Sequence, residues 1–444
     1  MSKDFENMGI YDLRNYARSM GVHSPTTLKR DELIFKINEI INGKQPEPKT
    51  TNKGRPPIHK NSDDFALDLI LPDNLFQKSD DLKYKPFSNV EKKSTFQNIL
   101  SEGQSSATDN ILFKGFYKKS NNNYGFALLK GYATDYYKEN TVILNSLATS
   151  YDLHDGDYII GVARYVAEKE IMLATEINYI NDISVSELSQ RDIFENILPT
   201  YPNSVLELVG SLDFELINRV SPIAKGSRAI INFNCKNKVE YAKDLLNSFS
   251  QTNNLRTLLI SIDDNPEDIG YITYNCPDVE VCTLTGRQTR QEYFEKVFMY
   301  ISNCINRLEF GQEVSIVFYN ASKFLKAYRD NLIISKNLTE SAAEIMASNK
   351  IVDIFNLSRC KENSSLTVTL IDTNSKFLDI ENCVINFNEN CYKNTSIYYD
   401  IKSSLAMYLE KLLSVEKVKK ARDFVHSFNE LNAENEIKNF LSKN

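Results

Sequence analysis

The strongest constraint on the fold is a regular alternation of short apolar runs with helical patterns in the second half of the chain. The runs are LRTLLISID, VEVCTL, EVSIVFY and SLTVTLID, and one of the helical patterns extends from Gln291 to Leu308. Such runs predict buried strands, and strands that alternate with helices predict an α/β domain with a mostly parallel sheet. We expect this domain at residues 183–402.

A second β-rich region precedes this domain. It contains five short runs with turn signals such as Asp155-Gly156 between them, namely ILFKGFY, YGFALLK, NTVILN, DYIIGVARYV and EIMLATEINYI. Five short strands in about seventy residues predict a small closed barrel, which we place at residues 109–182.

The remaining segments have other compositions. Two apolar stripes separated by Gly21 and Ser24-Pro25 predict short helices, so we expect residues 1–43 to form a small helical module. Residues 44–108 are rich in Pro, Asn, Ser and Lys, which predicts a low-complexity, largely disordered linker. Residues 403–444 predict a C-terminal helical segment with a charged, solvated face. The expected fold class is multidomain α+β.

Composition narrows the class of protein. The chain has 444 residues, 42% hydrophobic content and a formal net charge of -7, which suits several folded domains. It has no apolar run long enough to span a bilayer, and its N-terminus lacks the apolar core of a signal peptide, so we expect a cytoplasmic protein without a membrane partner. The seven cysteines show no metal-ligand spacing, which predicts reduced buried thiols and no metal site.

One unit, Ser221 to Leu246, has the strand, loop and helix of a nucleotide-binding site but lacks the residues that hold phosphate. A P-loop needs glycines whose N–H groups surround the phosphates, a Lys for the terminal phosphates and a Ser or Thr for magnesium. The loop from Asn234 to Glu240 has no glycine, and Val239 and Glu240 stand at the Lys and hydroxyl positions. Because a carboxylate repels triphosphate, we expect no ATP or magnesium cofactor.

Several strings, in a common order, resemble the bacterial transcription termination factor Rho family over nearly the whole chain. YDLRNYARSMGVHSPTTLKRDELIFKINEI resembles its helical module, and YGFALL and DLHDGDYIIGVAR resemble its cold-shock-type RNA-binding barrel. Ser221-Pro222-Ile223, LLISIDDNPEDI, EVSIVFYNASKFLKAY and LIDTNSK resemble its ATPase domain. The resemblance implies an OB-type barrel followed by a RecA-like α/β P-loop ATPase-type domain, here with a degenerate P-loop.

The chain departs from this family where the resemblance places catalysis. Tyr319 stands where an Asp would hold the magnesium shell, and Asp264, which we expect to be a surface carboxylate, stands at the catalytic Glu position. ESAAEIMASNK replaces a glycine-rich RNA-contacting loop and predicts a helix, and residues 377–403 show no convincing arginine finger. The degenerate remnants of the catalytic site are Val239, Glu240, Asp264 and Tyr319.

The barrel keeps part of an RNA-binding pattern. Tyr124 and Phe126 match the rings on which the family stacks RNA bases, and the alternative is that they pack inside the barrel. Leu128 stands where a basic residue would hold a phosphate. We expect weak, salt-sensitive binding of single-stranded RNA. Further candidates for it are the basic linker stretch Lys49 to Lys60 and the barrel residues Lys118, Lys119, Lys130 and Arg164.

These features predict a catalytically inactive Rho-like protein, a pseudo-ATPase that acts by binding. The leading interpretation is a regulator of Rho-dependent transcription termination that contacts Rho, RNA or the transcription machinery. One alternative is an independent single-stranded RNA-binding protein with the ATPase-like domain as scaffold. Another is an active RNA-dependent ATPase in which Lys236 or Lys238 replaces the missing lysine. Without nucleotide between subunits, we expect a monomer or small oligomer rather than a stable hexamer.

Overall fold

The computed structural model divides into two compact units, residues 1–69 and 70–444. In the first unit it describes Leu13, Arg14, Tyr16, Ala17, Met20, Val22 and residues 29–41. In the second it describes residues 110–442 except for 121–122, 130, 132–139, 167–170, 287, 362–363, 373–379, 390 and 393–394. The predicted linker, residues 44–108, lies outside the described residues together with its basic stretch.

The N-terminal unit has a small apolar core. Helix α1 (Arg30–Ile41) buries Leu33 and Ile37, which are four residues apart and therefore share one helical face. Their partners from the preceding segment are Leu13, Ala17 and Val22. Leu13, Ala17, Leu33 and Ile37 belong to the two apolar stripes of the sequence, whereas Val22 does not.

The barrel is a six-stranded sheet of order β3-β2-β1-β4-β5-β6, in which a parallel pairing of β3 with β5 closes the first five strands. Helix α2 (Asn145–Ser150) follows β3. The strands are β1 (Asn110–Lys119), β2 (Tyr124–Leu128), β3 (Thr141–Leu144), β4 (Tyr158–Val166), β5 (Ile171–Ile180) and β6 (Ile183–Ser184). The predicted five-stranded barrel is therefore confirmed.

The second sheet is mostly parallel, as predicted. Its order is β14-β13-β7-β12-β10-β8-β9, with β11 beside β12, and only β11 and β14 among its described strands run antiparallel to their neighbours. The strands are β7 (Arg228–Asn234), β8 (Leu255–Ser261), β9 (Glu280–Thr283), β10 (Glu313–Tyr319), β11 (Arg359–Lys361), β12 (Ser364–Asp372), β13 (Cys383–Asn388) and β14 (Leu405–Ala406).

Helices cover both faces of this sheet, as in a RecA-like domain. One face packs against α3 (Leu212–Val220), α4 (Lys238–Gln251), α5 (Pro266–Asn275), α10 (Val415–Ser427) and α11 (Ala433–Ser442). The other face packs against α6 (Arg290–Glu309), α7 (Ala321–Lys336) and α8 (Glu340–Phe355). A single helical turn, α9 (Leu409–Leu412), precedes α10.

Local signals set the start of several helices. At α6 the Thr289 side chain accepts from the N–H of Glu292, whose carboxylate accepts from the N–H of Thr289 in return, which is a capping box. Ser414 caps α10, and Pro266 occupies the first turn of α5, where its missing N–H costs nothing. These helix starts are therefore encoded locally.

Helix α6 also joins the barrel to the α/β domain through buried polar side chains. Asn306 Nδ2 donates to Asp157 Oδ1 at 2.9 Å. Arg191 bridges the carboxylates of Asp157 and Glu309 at 2.6 and 2.7 Å, and all three side chains are nearly inaccessible to solvent. Because buried charges are tolerated only when they are paired, this junction holds the barrel in one orientation on the sheet.

The C-terminal segment packs against the α/β domain more extensively than its charged sequence predicts. Residues 403–444 contribute β14 to the sheet, and Phe424 and Ile437 enter the core on one of its faces. The predicted helix at ESAAEIMASNK is confirmed as part of α8. In the part of the chain that the structure describes, no helix is both long and apolar enough to cross a membrane.

Candidate functional site

The candidate site lies at the carboxyl ends of the parallel strands, where α/β sheets bind their ligands. Asp264 follows β8, Asn320 follows β10, and Asp372 is the last residue of β12. Lys238 begins the helix after β7, and Lys323 lies in the first turn of α7. We call these five residues the strand-end cluster.

The loop at the position of the P-loop is short. Strand β7 ends at Asn234 and α4 begins at Lys238, so only Cys235, Lys236 and Asn237 connect them. Three residues without glycine offer few backbone N–H groups that can surround a phosphate. Lys236 does not belong to the strand-end cluster. It pairs with Glu389 at 2.7 Å, and 85% of its side chain is exposed.

Lys238 extends into the strand-end cluster. Its Nζ donates to Asn320 Oδ1 and lies 4.9 Å from the centre of the Tyr319 ring. Burial lowers the pKa of Lys238, while the carboxylates of Asp372 and Asp264 act in the opposite direction. The ammonium group is therefore held among acids and an aromatic ring of the chain itself.

Asp264 is buried, and the expectation of a surface carboxylate is wrong. Only 2% of its side chain is exposed. It accepts hydrogen bonds from Ser261 Oγ at 2.7 Å, from Lys323 Nζ at 2.9 Å and from Asn320 Nδ2. Asp263 adopts a left-handed conformation directly after β8, and Asp264 then contacts Lys323 of α7. The burial of Asp264 could not be predicted from its neighbours in sequence.

The remaining charges near the cluster are also paired. Asp372 Oδ2 accepts from the N–H of Ser322 at 2.7 Å and so caps the start of α7. One guanidinium nitrogen of Arg290 donates to both oxygens of Asp263, at 3.1 and 2.9 Å. Lys238, Lys323 and Arg290 therefore lie among four carboxylates, those of Asp263, Asp264, Asp268 and Asp372.

The other predicted remnants do not join this cluster in a catalytic arrangement. Tyr319 is buried, and burial raises its pKa, so its hydroxyl supplies no anion for a metal. Val239 packs against the core. Glu240 accepts from Lys243 at 2.6 Å and from Tyr271 at 2.8 Å, on the side of α4 that faces α5, and the Lys243 hydrogen bond lowers the pKa of Glu240.

The two rings of the barrel's RNA-binding pattern are buried. Tyr124 is 4% exposed and Phe126 is 7% exposed, and their rings meet edge to face with centroids 5.4 Å apart. Met299 of α6 belongs to the same apolar cluster. In the structure both rings pack inside the barrel. An RNA base could stack on either ring only by displacing neighbouring side chains, so base stacking stays a prediction.

The basic candidates of the barrel do not form one surface. Lys118 pairs with Asp155, which also accepts from the backbone N–H of Lys119. Arg164 pairs in register with Asn110, eight positions away from Lys118 along β1, or about 27 Å at strand spacing. Lys130 lies outside the described residues. The described part of the barrel therefore offers separate charges rather than a continuous groove.

Sequence reasoning missed Asn320, Lys323 and Asp372. Asn320 directly follows a buried strand, Asp372 ends one, and Lys323 lies in the first turn of the helix after β10. Position after a buried strand is the signal that could have found them, because the carboxyl ends of parallel strands converge. Asn320 is the strongest example, since it adopts a left-handed conformation, with φ 67°, directly between β10 and α7.

Comparison with known proteins agrees with this architecture. Residues 4–40 match the family described as Rho termination factor, N-terminal domain. Transcription termination factor Rho of Thermotoga maritima is 24% identical over 389 residues, which cover 85% of this chain and 76% of that protein. The chain is similar to Rho proteins over most of its length. The resemblance stated from sequence is thus confirmed.

Two further Rho proteins are similar over shorter stretches. The proteins of Streptobacillus moniliformis and Borreliella burgdorferi are each 25% identical, over 259 and 301 residues. These stretches cover 57% and 65% of this chain but only 61% and 58% of those relatives. Among solved structures, an ATPase from the type III secretion system of pathogenic bacteria overlaps with a TM-score of 0.43 at 12% identity, covering 53% of this chain and 72% of that one.

Proposed function

We propose that this chain is a Rho-like protein that acts by binding and does not hydrolyse ATP. The observation that carries the proposal is the strand-end cluster, in which Lys238 and Asp264 are already bound to Asn320 and Lys323. Relatives of this family are named transcription termination factors, so we infer a role in the regulation of Rho-dependent termination in the cytoplasm.

A magnesium nucleotide does not fit these residues. Mg²⁺ requires carboxylate or water oxygens in near-octahedral geometry, but both oxygens of Asp264 accept hydrogen bonds from the chain. A metal bound there would also lie close to the ammonium groups of Lys238 and Lys323. Binding would therefore first require the cluster to be broken.

The partners we propose are Rho itself, RNA or another part of the transcription machinery. Rings of RecA-like subunits are held partly by the nucleotide between neighbours, so a chain without nucleotide should be a monomer or small oligomer. Such a chain could still dock on a Rho subunit through surfaces shared by the family. A subunit without catalysis that enters or caps a ring would inhibit it.

The test is a Rho-dependent transcription reaction with increasing amounts of this protein. We expect increased readthrough and co-elution of the two proteins on size exclusion. A terminator that needs no Rho is the control, and its readthrough should stay constant. If termination is unchanged at large molar excess and the proteins do not co-elute, the regulator role is wrong, and RNA binding by the chain would then favour an independent RNA-binding protein.

A further inference from the structure

A cavity of about 180 Å³ lies in the α/β domain, and none of its lining residues belongs to the strand-end cluster. It is formed where the end of α3 faces the start of α10 and the end of α11. Its lining, which we call the C-terminal pocket, consists of Asn218, Arg219, Leu413, Lys417, Lys420 and Phe440.

The pocket concentrates positive charge in a chain whose net charge is -7. Arg219, Lys417 and Lys420 contribute three cations. Lys420 pairs with Glu416 at 3.0 Å, and 77% of the Glu416 side chain is exposed. Lys417 has no ion-pair partner among the described residues. A local excess of positive charge in an acidic protein favours an anionic ligand.

Two of the polar side chains are held in place before any ligand binds. One nitrogen of Arg219 donates to the carbonyl oxygens of Phe440 and Leu441, at 3.5 and 2.9 Å, and so fixes the guanidinium at the end of α11. Asn218 exchanges two hydrogen bonds with the backbone of Leu208, at 2.9 and 2.8 Å. The arginine is therefore positioned without being neutralised by a carboxylate.

The lining also includes an apolar part, which we call the apolar wall, formed by Phe440 and Leu413. The Phe440 ring stacks on Phe424, with centroids 4.1 Å apart and planes 8° apart, and Leu413 lies beside it. A cavity of this size, 180 Å³, holds about six water molecules, which is room for a phosphate group and part of a flat ring. Cations and an aromatic ring that line the same cavity are the two elements that bind nucleotides in single strands.

We propose that the C-terminal pocket binds a phosphate-bearing nucleotide. Arg219, Lys417 and Lys420 would bind the phosphate group, and Phe440 with Leu413 would contact the base. The phosphate can come from a free nucleoside monophosphate or from a nucleotide within single-stranded RNA. This site is separate from the strand-end cluster, and it does not depend on the regulator role proposed above.

The test measures binding of three probes to the full chain at low salt: inorganic phosphate, AMP and a short single-stranded RNA. We expect AMP to bind more tightly than phosphate, and Lys417→Met with Lys420→Met to weaken AMP binding about tenfold or more, because both charges lie beside the phosphate. The matched control is Lys419→Met with Lys336→Met, two exposed lysines outside the pocket, which removes the same charge and should leave binding unchanged.

A second variant examines the apolar wall. Phe440→Leu keeps the apolar contact with Phe424 but removes the ring, so AMP binding should weaken while phosphate binding stays the same. If RNA binds more tightly than AMP and is lost in the same lysine variant, the natural source of the phosphate is RNA. If none of the three probes binds, or if the pocket and control variants bind equally, the proposal is wrong.

Discussion

Lys238 places a cation of the protein itself at the carboxyl ends of the parallel strands, where α/β sheets bind their ligands. It bonds to Asn320, lies over Tyr319 and is close to the carboxylates of Asp264 and Asp372. Its burial has a cost that the surrounding acids and hydrogen bond offset. These contacts of Lys238 stabilise the carboxyl ends of the strands without a bound ligand.

We predict that Lys238→Met destabilises the protein by about 1–3 kcal/mol, because it leaves a buried acceptor on Asn320 and removes positive charge beside two acids. The measurement is the midpoint of urea unfolding. Lys236→Met is the matched control, since this neighbouring lysine is 85% exposed and its variant should unfold at the wild-type midpoint. Equal midpoints for the two variants would show that Lys238 stabilises nothing.

The alkylation rate of the Cys235 thiol indicates whether the loop before α4 is packed. Thiols near the start of a helix usually have a lowered pKa, but burial raises the pKa of Cys235 to about 11. At pH 7 only about one molecule in ten thousand then carries the thiolate. The loop should therefore be unreactive, unlike an electropositive phosphate site.

We predict that alkylation of native Cys235 by iodoacetamide, followed by peptide mass spectrometry, accelerates about tenfold for each pH unit between 7 and 10. In the urea-unfolded chain the same cysteine should react quickly at pH 8 and reach a plateau above about pH 9, as an ordinary thiol does. Fast reaction of the native thiol at pH 7 would mean that the loop is open.

Helix α6 is the element that unites the barrel with the sheet. Its apolar side chains face the sheet, whereas Asn306 and Glu309 meet polar groups from the barrel side. Arg191 lies between Asp157 and Glu309 with 3% of its side chain exposed, so both acids depend on it for neutralisation. A buried pair of this kind specifies an arrangement more than it adds stability.

We predict that Arg191→Met lowers the free energy of unfolding by about 3–5 kcal/mol, because two buried carboxylates lose their partner. Calorimetric unfolding of the full chain measures this. Lys361→Met is the control, since it breaks only the exposed pair with Asp192 and should leave the transition in place. An Arg191→Met protein that unfolds like the control would contradict the bridging role.

The elements themselves could be predicted well from sequence. The run EVSIVFY coincides with β10, and the pattern at Gln291 to Leu308 lies within α6, because apolar periodicity follows directly from burial. The buried role of Asn306 could not be predicted, since polar side chains on a helix normally face solvent. That face becomes interior only because the barrel, which is distant in sequence, packs against it in the fold.

The candidate site was predictable only in part. The missing glycines and the substitutions at Val239 and Glu240 can be recognised from sequence alone, because a P-loop is a contiguous motif. The pairing of Asp264 with Asn320 and Lys323 joins three segments, so it depends on the sheet order and on the left-handed turns after β8 and β10. Contacts of that kind are set by tertiary structure and not by local pattern.

The molecule combines a Rho-like order of domains with a site that is internally paired. The barrel and the α/β domain belong to one compact unit, and the rings Tyr124 and Phe126 pack in the barrel against a cluster that includes α6. The charges at the strand ends are engaged by partners within the chain. We propose on this basis that the protein functions without ATP turnover.

The most direct measurement is calorimetric titration with ATP and Mg²⁺ of the chain carrying Lys417→Met and Lys420→Met, which removes the proposed nucleotide binding at the C-terminal pocket, followed by phosphate release from the unaltered chain with and without single-stranded RNA. We expect no saturable binding at the strand ends below about 1 mM nucleotide and no release above background, because the loop is short and Lys238, Asp264 and Lys323 are paired within the chain. Tight binding together with RNA-stimulated phosphate release that Asp264→Asn abolishes would contradict this and establish an active ATPase.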